Sequence, residues 1–148
     1  MADSTIQTIE IDAEPEACFA VAADITSYPE WATGVTEVEV LETGPEGWAK
    51  RVRFVVDGMV KEISYVLVYE YDHPSLMSWT AEPGDDIAEM IGSYRFDPLD
   101  DDKTEVVYAL RAVPSFNIPG FLRRQAEKQV VGTALRGLRK RVEELAAG

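Results

Sequence analysis

The sequence predicts an α+β fold: a curved antiparallel sheet of six to seven strands wrapped around one long C-terminal helix, with two short helices between strands one and two. Three observations carry this. From Val38 to Val113 the apolar residues recur with period two, and Gly/Pro/Asp turns interrupt them at short intervals. Val131, Leu135, Leu138, Val142 and Leu145 then follow at spacings of 4, 3, 4 and 3, one stripe of a helix. No repeat, low-complexity stretch or Pro/Ser/Gly-rich linker divides the chain, so residues 1–148 read as one domain.

Each element has a local cause. Residues 5–12 form a short strand in which Ile9 and Ile11 alternate with Thr8, Glu10 and Asp12. Ala13-Glu14-Pro15-Glu16 opens a helix, with proline in its first turn and acids at the positive end of the dipole. Cys18, Phe19, Ala22 and Ala23 are its apolar side. Asp24 and either Thr26 or Ser27 are the expected caps for a second short helix ending near Trp31-Ala32. Beyond Gly34, Val38 and Val40 alternate with Glu37 and Glu39. Thr43–Gly47 is a turn. In residues 50–57, Val52, Phe54 and Val56 share one face and Arg51, Arg53 and Val55 the other. Asp57-Gly58 signals a two-residue hairpin into a strand over residues 60–71, with Ile63, Tyr65, Leu67, Tyr69 and Tyr71 in phase. Asp72–Ser75 turns the chain into strand 76–81, and Glu82–Asp86 turns it into strand 87–96. Asp97–Lys103 reads as an acidic loop. Strand 104–113 holds Val106, Tyr108, Leu110 and Ala112 in phase. Sequential short strands of this kind pair as a meander. The final helix, from about Pro119 to Leu145, is roughly 38 Å long.

Composition narrows the chemistry. One cysteine and one histidine exclude a disulfide framework and a Cys/His metal cage within the chain. No run of 18 apolar residues occurs, and Met1-Ala2-Asp3-Ser4 lacks a basic n-region and an apolar h-region. The reading is a cytoplasmic protein without stable membrane insertion. The net charge of −13 is uneven: residues 1–122 hold 24 acids and 7 bases, residues 123–148 hold 3 acids and 7 bases. The acidic bulk repels nucleic-acid phosphates, so no nucleic-acid partner is expected. The basic positions Arg123, Arg124 and Lys128 suit either an anionic head group or ion pairing with the acidic body, and the second is preferred.

A twisted sheet curls, and a straight helix laid in it makes close contact along only part of its length. The gap between them is the place for a ligand. The order of elements, with Asp24-Ile25-Thr26-Ser27-Tyr28-Pro29-Glu30-Trp31, Gly92-Ser93-Tyr94-Arg95-Phe96 and Thr104-Glu105-Val106-Val107-Tyr108, resembles the polyketide cyclase/dehydrase and lipid-transport superfamily. This is the START-like, SRPBCC or helix-grip fold. The likeness spans about residues 5–145 and is closest to small stand-alone members of actinobacterial type. It implies a hydrophobic pocket between sheet and long helix, gated by loops near the helix start. It does not imply catalysis, because members include aromatase/cyclases, lipid carriers and receptors.

The family's aromatase/cyclases typically carry an inward arginine on the strand that aligns with Ile63-Ser64-Tyr65-Val66-Leu67, and this chain has no arginine there. Tyr65 and Tyr94 are the candidate catalytic phenols, as proton donors if their pKa were lowered; the alternative is sheet aromatics with solvated hydroxyls. The expected pocket lining is Trp31, Phe54, Tyr65, Leu67, Met90, Tyr94, Tyr108, Phe121, Leu122, Gln125 and Gln129. Trp31 reads as a core plug or a ligand contact. Trp79 is assigned to neither face. Gly92 leaves room for a ligand or a neighbouring side chain, or marks a bend. His73 reads as an exposed turn residue, Cys18 as a buried small hydrophobe, and Arg53 as outward-facing. Phe116, Ile118, Phe121 and Leu122 form a lid or pack on the sheet edge. No cofactor and no metal is called for.

The leading reading is therefore binding or transport of a small hydrophobic molecule (lipid, polyketide or isoprenoid-like) by a monomer or weak homodimer. The alternatives are an aromatase/cyclase or dehydratase using pocket tyrosines, and a protein-partner module.

Overall fold

The computed structural model describes residues 4–57, 61–100 and 102–147. β1 (Thr5–Ile11) leads into α1 (Pro15–Ala23), a 3-10 turn (Ile25–Ser27) and α2 (Tyr28–Trp31). The strands β2 (Val35–Thr43), β3 (Ala49–Asp57), β4 (Glu62–Asp72), β5 (Leu76–Ala81), β6 (Ile87–Leu99) and β7 (Lys103–Pro114) follow, and α3 (Gly120–Ala147) closes the chain. All seven strands form one antiparallel sheet in the order β1-β7-β6-β5-β4-β3-β2, a meander in which β1 joins the far edge.

Several expectations need adjusting. The tip of the predicted Asp57-Gly58 hairpin, residues 58–60, lies outside the described residues. The acidic loop is shorter than read: β6 runs to Leu99 and β7 starts at Lys103, because the pairs Asp97↔Glu105 and Leu99↔Lys103 extend the ladder into it. The link between α1 and β2 is a 3-10 turn plus one helical turn. Asp24 organises it, accepting from Ser27 Oγ at 2.7 Å and Thr26 Oγ1 at 3.4 Å.

One strand phase faces inward throughout. Val52, Phe54, Leu67, Tyr69, Met77, Trp79, Tyr94, Phe96, Val106, Tyr108 and Leu110 are buried on it, together with Val131, Leu135, Leu138 and Val142 of α3. α3 packs chiefly on β1, β7 and α1, and no helix makes an extended contact with β3 or β4. Burial of the inner faces of β3 and β4 therefore depends on side chains that reach across.

The outer face carries the arginines. Arg51 pairs with Glu82, Arg53 with Glu37 and Glu39, Arg95 with Asp97, and Arg111 with Glu89. The preferred pairing of the basic helix with the acidic body is largely overturned. Arg141 does reach Glu30 at 3.0 Å. Arg123, however, pairs with Glu127 of its own helix, and Arg124 and Lys128 have no ion pair among the described residues. His73 is also more than an exposed turn residue. Its Nε2 meets Glu16 Oε2 at 2.7 Å and its ring packs edge-on against Phe19, tying the β4–β5 turn to α1.

A candidate ligand site lined by phenols

The inner face is built in cross-strand rows. Val38, Phe54 and Tyr65 lie side by side on β2, β3 and β4. Tyr69, Trp79, Gly92 and Leu110 form a second row on β4 to β7, and Tyr71, Met77, Tyr94 and Tyr108 a third. Alternation brings these rings to one side, since strand side chains repeat every two residues. The rings meet. Phe54 stacks on Tyr65 at 5.6 Å, Tyr69 lies 5.7 Å from Trp79, Trp79 5.5 Å from Tyr94, and Tyr94 4.6 Å from Tyr108. From the other side Tyr28 contributes its ring to Phe54 and Trp31.

Trp79 thus lies on the inner face, and Gly92 is what admits it. A Cβ built on Gly92 would sit 2.5 Å from three atoms of the Trp79 indole, closer than any real Cβ contact. The glycine makes room for a neighbouring side chain rather than a bend. Gly137 serves α2 in a milder way: a Cβ there would meet Trp31 at 3.4 Å. Trp31 Nε1 is fully enclosed and unpartnered, the one such side-chain atom among the described residues.

All six tyrosines of the chain belong to this buried cluster or pack against it. Two hydroxyls serve the fold: Tyr28 donates to the Ala22 carbonyl and Tyr71 to the Ala49 carbonyl. Those of Tyr65, Tyr69, Tyr94 and Tyr108 find no hydrogen-bond partner among the described residues. Nor are they among the fully enclosed unpartnered atoms. Each hydroxyl therefore keeps some accessible surface at which water can pair it. Burying an unpaired hydroxyl without such access costs on the order of 1–3 kcal/mol.

Burial dominates the ionisation of these groups. It pushes Tyr65 up to about 12 and drives Tyr69, Tyr94 and Tyr108 well above the ordinary phenol value, with neighbouring tyrosines adding to it. These phenols are neutral across the physiological range. They offer hydrogen bonds, but the lowered pKa that would make Tyr65 or Tyr94 a ready proton donor is not found. Cys18, wholly buried, is likewise pushed up to about 11 by burial, the state of an inert thiol.

Of the expected lining, Phe54, Leu67, Tyr94 and Tyr108 are buried together, and Tyr65, Met90 and Trp31 pack against them. Phe121, Leu122, Gln125 and Gln129 are exposed at the start of α3. Tyr69 and Trp79 join the buried residues on the inner face, and the buried Glu127 was not singled out by the sequence reading. Tyr69 shares the phase of Tyr65. Glu127 lies four residues before Val131 on the helix stripe and is the lone acid between Ser115 and Val142, a signal that was available. No group of three or more His, Cys, Asp or Glu side chains suited to a metal occurs among the described residues. No described helix is long and apolar enough to cross a membrane. A separate crevice of about 370 Å³ beside the C-terminal half of α3 is lined by Glu10, Asp12, Lys103, Arg139 and Glu143, a charged site unlike the phenol face.

The same architecture occurs in solved structures. A START superfamily protein from Mycobacterium smegmatis superposes with a TM-score of 0.88 at 19% identity, covering 96% of this chain and 98% of that one. A protein from Thermus thermophilus gives 0.82 at 25% identity, covering 98% and 99%. An aromatase/cyclase from Streptomyces sp. R1128 gives 0.73 at 18% identity, covering 95% and 93%. No curated protein matches. The sequence itself matches one family along nearly its whole length, residues 4–147. A curved seven-stranded sheet gripping a terminal helix is the fold expected of that family, and the chain belongs to it: polyketide cyclase / dehydrase and lipid transport.

Proposed function

We propose that the protein binds or carries a small hydrophobic molecule bearing several oxygen functions, held between the inner face of the sheet and α3. The observation that carries this reading is the set of four neutral, unpartnered phenol hydroxyls on an otherwise apolar face. Apolar walls with a few fixed polar groups are the usual make-up of a small-molecule site. A plain acyl chain leaves such hydroxyls unpaired. A ligand with carbonyls or hydroxyls along its length pairs them, and the aromatic walls suit planar, conjugated segments.

Binding is favoured over cyclisation by the position of the cations. Arg51, Arg53, Arg95 and Arg111 all leave the sheet on its outer face, where they pair with carboxylates. No arginine of the described strands faces the phenols to hold a developing enolate. The test is native mass spectrometry of gently purified protein, followed by solvent extraction. The expected result is a co-purifying, oxygen-bearing hydrophobic molecule whose retention falls in Tyr94→Phe and Tyr65→Phe. A protein that carries nothing, and binds no conjugated polyketone or quinone offered to it, would sink the reading. Turnover of such a compound that is lost in both variants would favour the enzyme instead.

A further inference from the structure

The first three turns of α3 are attached differently from the rest of the helix. From Val131 onward an apolar stripe is buried against the core. In residues 120–130 the one fully buried side chain is Glu127, a carboxylate. Around it Phe121 and Leu122 are 65% and 41% exposed.

Glu127 is bonded by three donors. Its Oε1 accepts from Thr5 Oγ1 at 2.6 Å, and its Oε2 accepts from the Ala112 amide at 2.7 Å. Arg123 Nη1 donates both to Glu127 Oε2 and to the Ala112 carbonyl, each at 3.2 Å. The β1–β7 register ends at Thr5↔Leu110. Two residues further along β7, the N–H and C=O of Ala112 project to the same side and need partners there. Glu127 supplies the acceptor and Arg123 the donor. The ion pair stands in for the next residue of an edge strand. The remaining ties of this segment are weaker: Gln7 Nε2 donates to the Lys128 carbonyl at 3.2 Å, and Ser115 at the lead-in bonds to Asp86 and Gly84.

We propose that the Arg123–Glu127 pair is the clasp of a portal: it pins the start of α3 over the open end of β1 and β7, and its release swings that segment aside and exposes the inner face beside Tyr108. The clasp stands on its own geometry, and passage of a ligand through the portal rests on the binding reading above. A segment that adds no apolar side chain to the core and is held by a few polar bonds belongs to the low-stability end of a fold. Breaking that attachment frees it while the stripe from Val131 to Val142 keeps the rest of α3 in place.

The test combines hydrogen exchange by mass spectrometry with stopped-flow uptake of Nile red, a neutral hydrophobic dye. In Glu127→Gln, exchange over residues 116–130 is expected to rise about tenfold or more, the factor matching loss of a charge-assisted hydrogen bond, with β4–β6 unchanged. Dye uptake and release should both quicken. Arg123→Met, which leaves the bonds from Thr5 and Ala112, should give a smaller rise in the same peptides and serves if Glu127→Gln fails to fold. Unchanged exchange, or a uniform rise along the whole chain, overturns the clasp. Raised local exchange with unaltered dye rates overturns the portal. If exchange rises as expected but no dye binds to either protein, the clasp holds and the binding reading fails. If dye binds and exchange is unaffected, the reverse is true.

Discussion

The two faces of the sheet are built from the same seven strands but solve different problems. The outer face gathers arginines and carboxylates in exposed pairs such as Arg53 with Glu37 and Glu39. The inner face gathers tyrosines, tryptophan and aliphatic side chains, with hydroxyls as its polar atoms at Tyr65, Tyr69, Tyr94 and Tyr108. The difference shows where free energy is concentrated. Exposed ion pairs contribute from nothing to about 1 kcal/mol each. A buried phenol ties stability to its protonation, and a buried methionine or tryptophan ties it to shape.

Alkaline pH should break the inner face first and most. The folded-state pKa of these tyrosines is raised, so their neutral form is favoured in the native state. The corresponding stability is fully present below about pH 10, the ordinary phenol value, and is lost as the pH rises towards folded values such as about 12 for Tyr65. Each phenol contributes a loss of about 1.4 kcal/mol per pH unit, so several together remove most of a typical domain's stability within about two units. Denaturant titrations at rising pH, with phenolate absorbance recorded in parallel, should show ionisation and unfolding as one transition. Phenolate forming in the folded protein near pH 10 would contradict the burial of these groups.

Shape comes next. Met77, wholly buried on the inner face of β5, should cost about 2–5 kcal/mol on replacement by alanine, measured by urea unfolding. Gly92→Ala drives a methyl into the Trp79 indole, and about 1–3 kcal/mol of overpacking is expected despite the entropy that alanine recovers in the unfolded chain. The double variant Gly92→Ala/Trp79→Leu should regain part of that loss. If it does not, Gly92 is there for another reason. The outer face gives the smallest effect. Arg53→Met should shift stability by less than about 1 kcal/mol and leave ligand retention unchanged.

Most of the fold was legible in the sequence because it rests on local periodicities. Val52 and Phe54 alternate with Arg51 and Arg53, Ile63, Tyr65, Leu67, Tyr69 and Tyr71 keep one phase, and Val131, Leu135, Leu138 and Val142 recur with helical spacing. Each pattern reports one buried face wherever the element lies. The outward position of Arg53 followed from the same alternation. Trp79 was not legible, because strand β5 is only six residues long and Leu76 puts an apolar side chain on the phase of Ser78 and Thr80 as well, and its side was decided by its cross-strand neighbour Gly92. The shorter 99–103 turn was hidden by aspartates that read as loop but pair at the sheet's end. The exposure of Phe121 and Leu122 was hidden too, because an apolar residue at a helix start looks the same whether it meets a sheet or overhangs it.

The sequence by itself determined the element order, which residues of a strand share a face, and the family resemblance, since these depend on residues close together in the chain. Only the tertiary structure decided which groups from distant elements meet. Thr5 and Glu127 are 122 residues apart, yet they share a hydrogen bond at 2.6 Å. Ala112 gains its partners from α3 because β1 gives it none at that rung. The four phenols of β4, β6 and β7 came to share one aromatic cluster because the strand register places them on the same face. Local pattern sets which side of an element is buried. Packing alone sets what it is buried against.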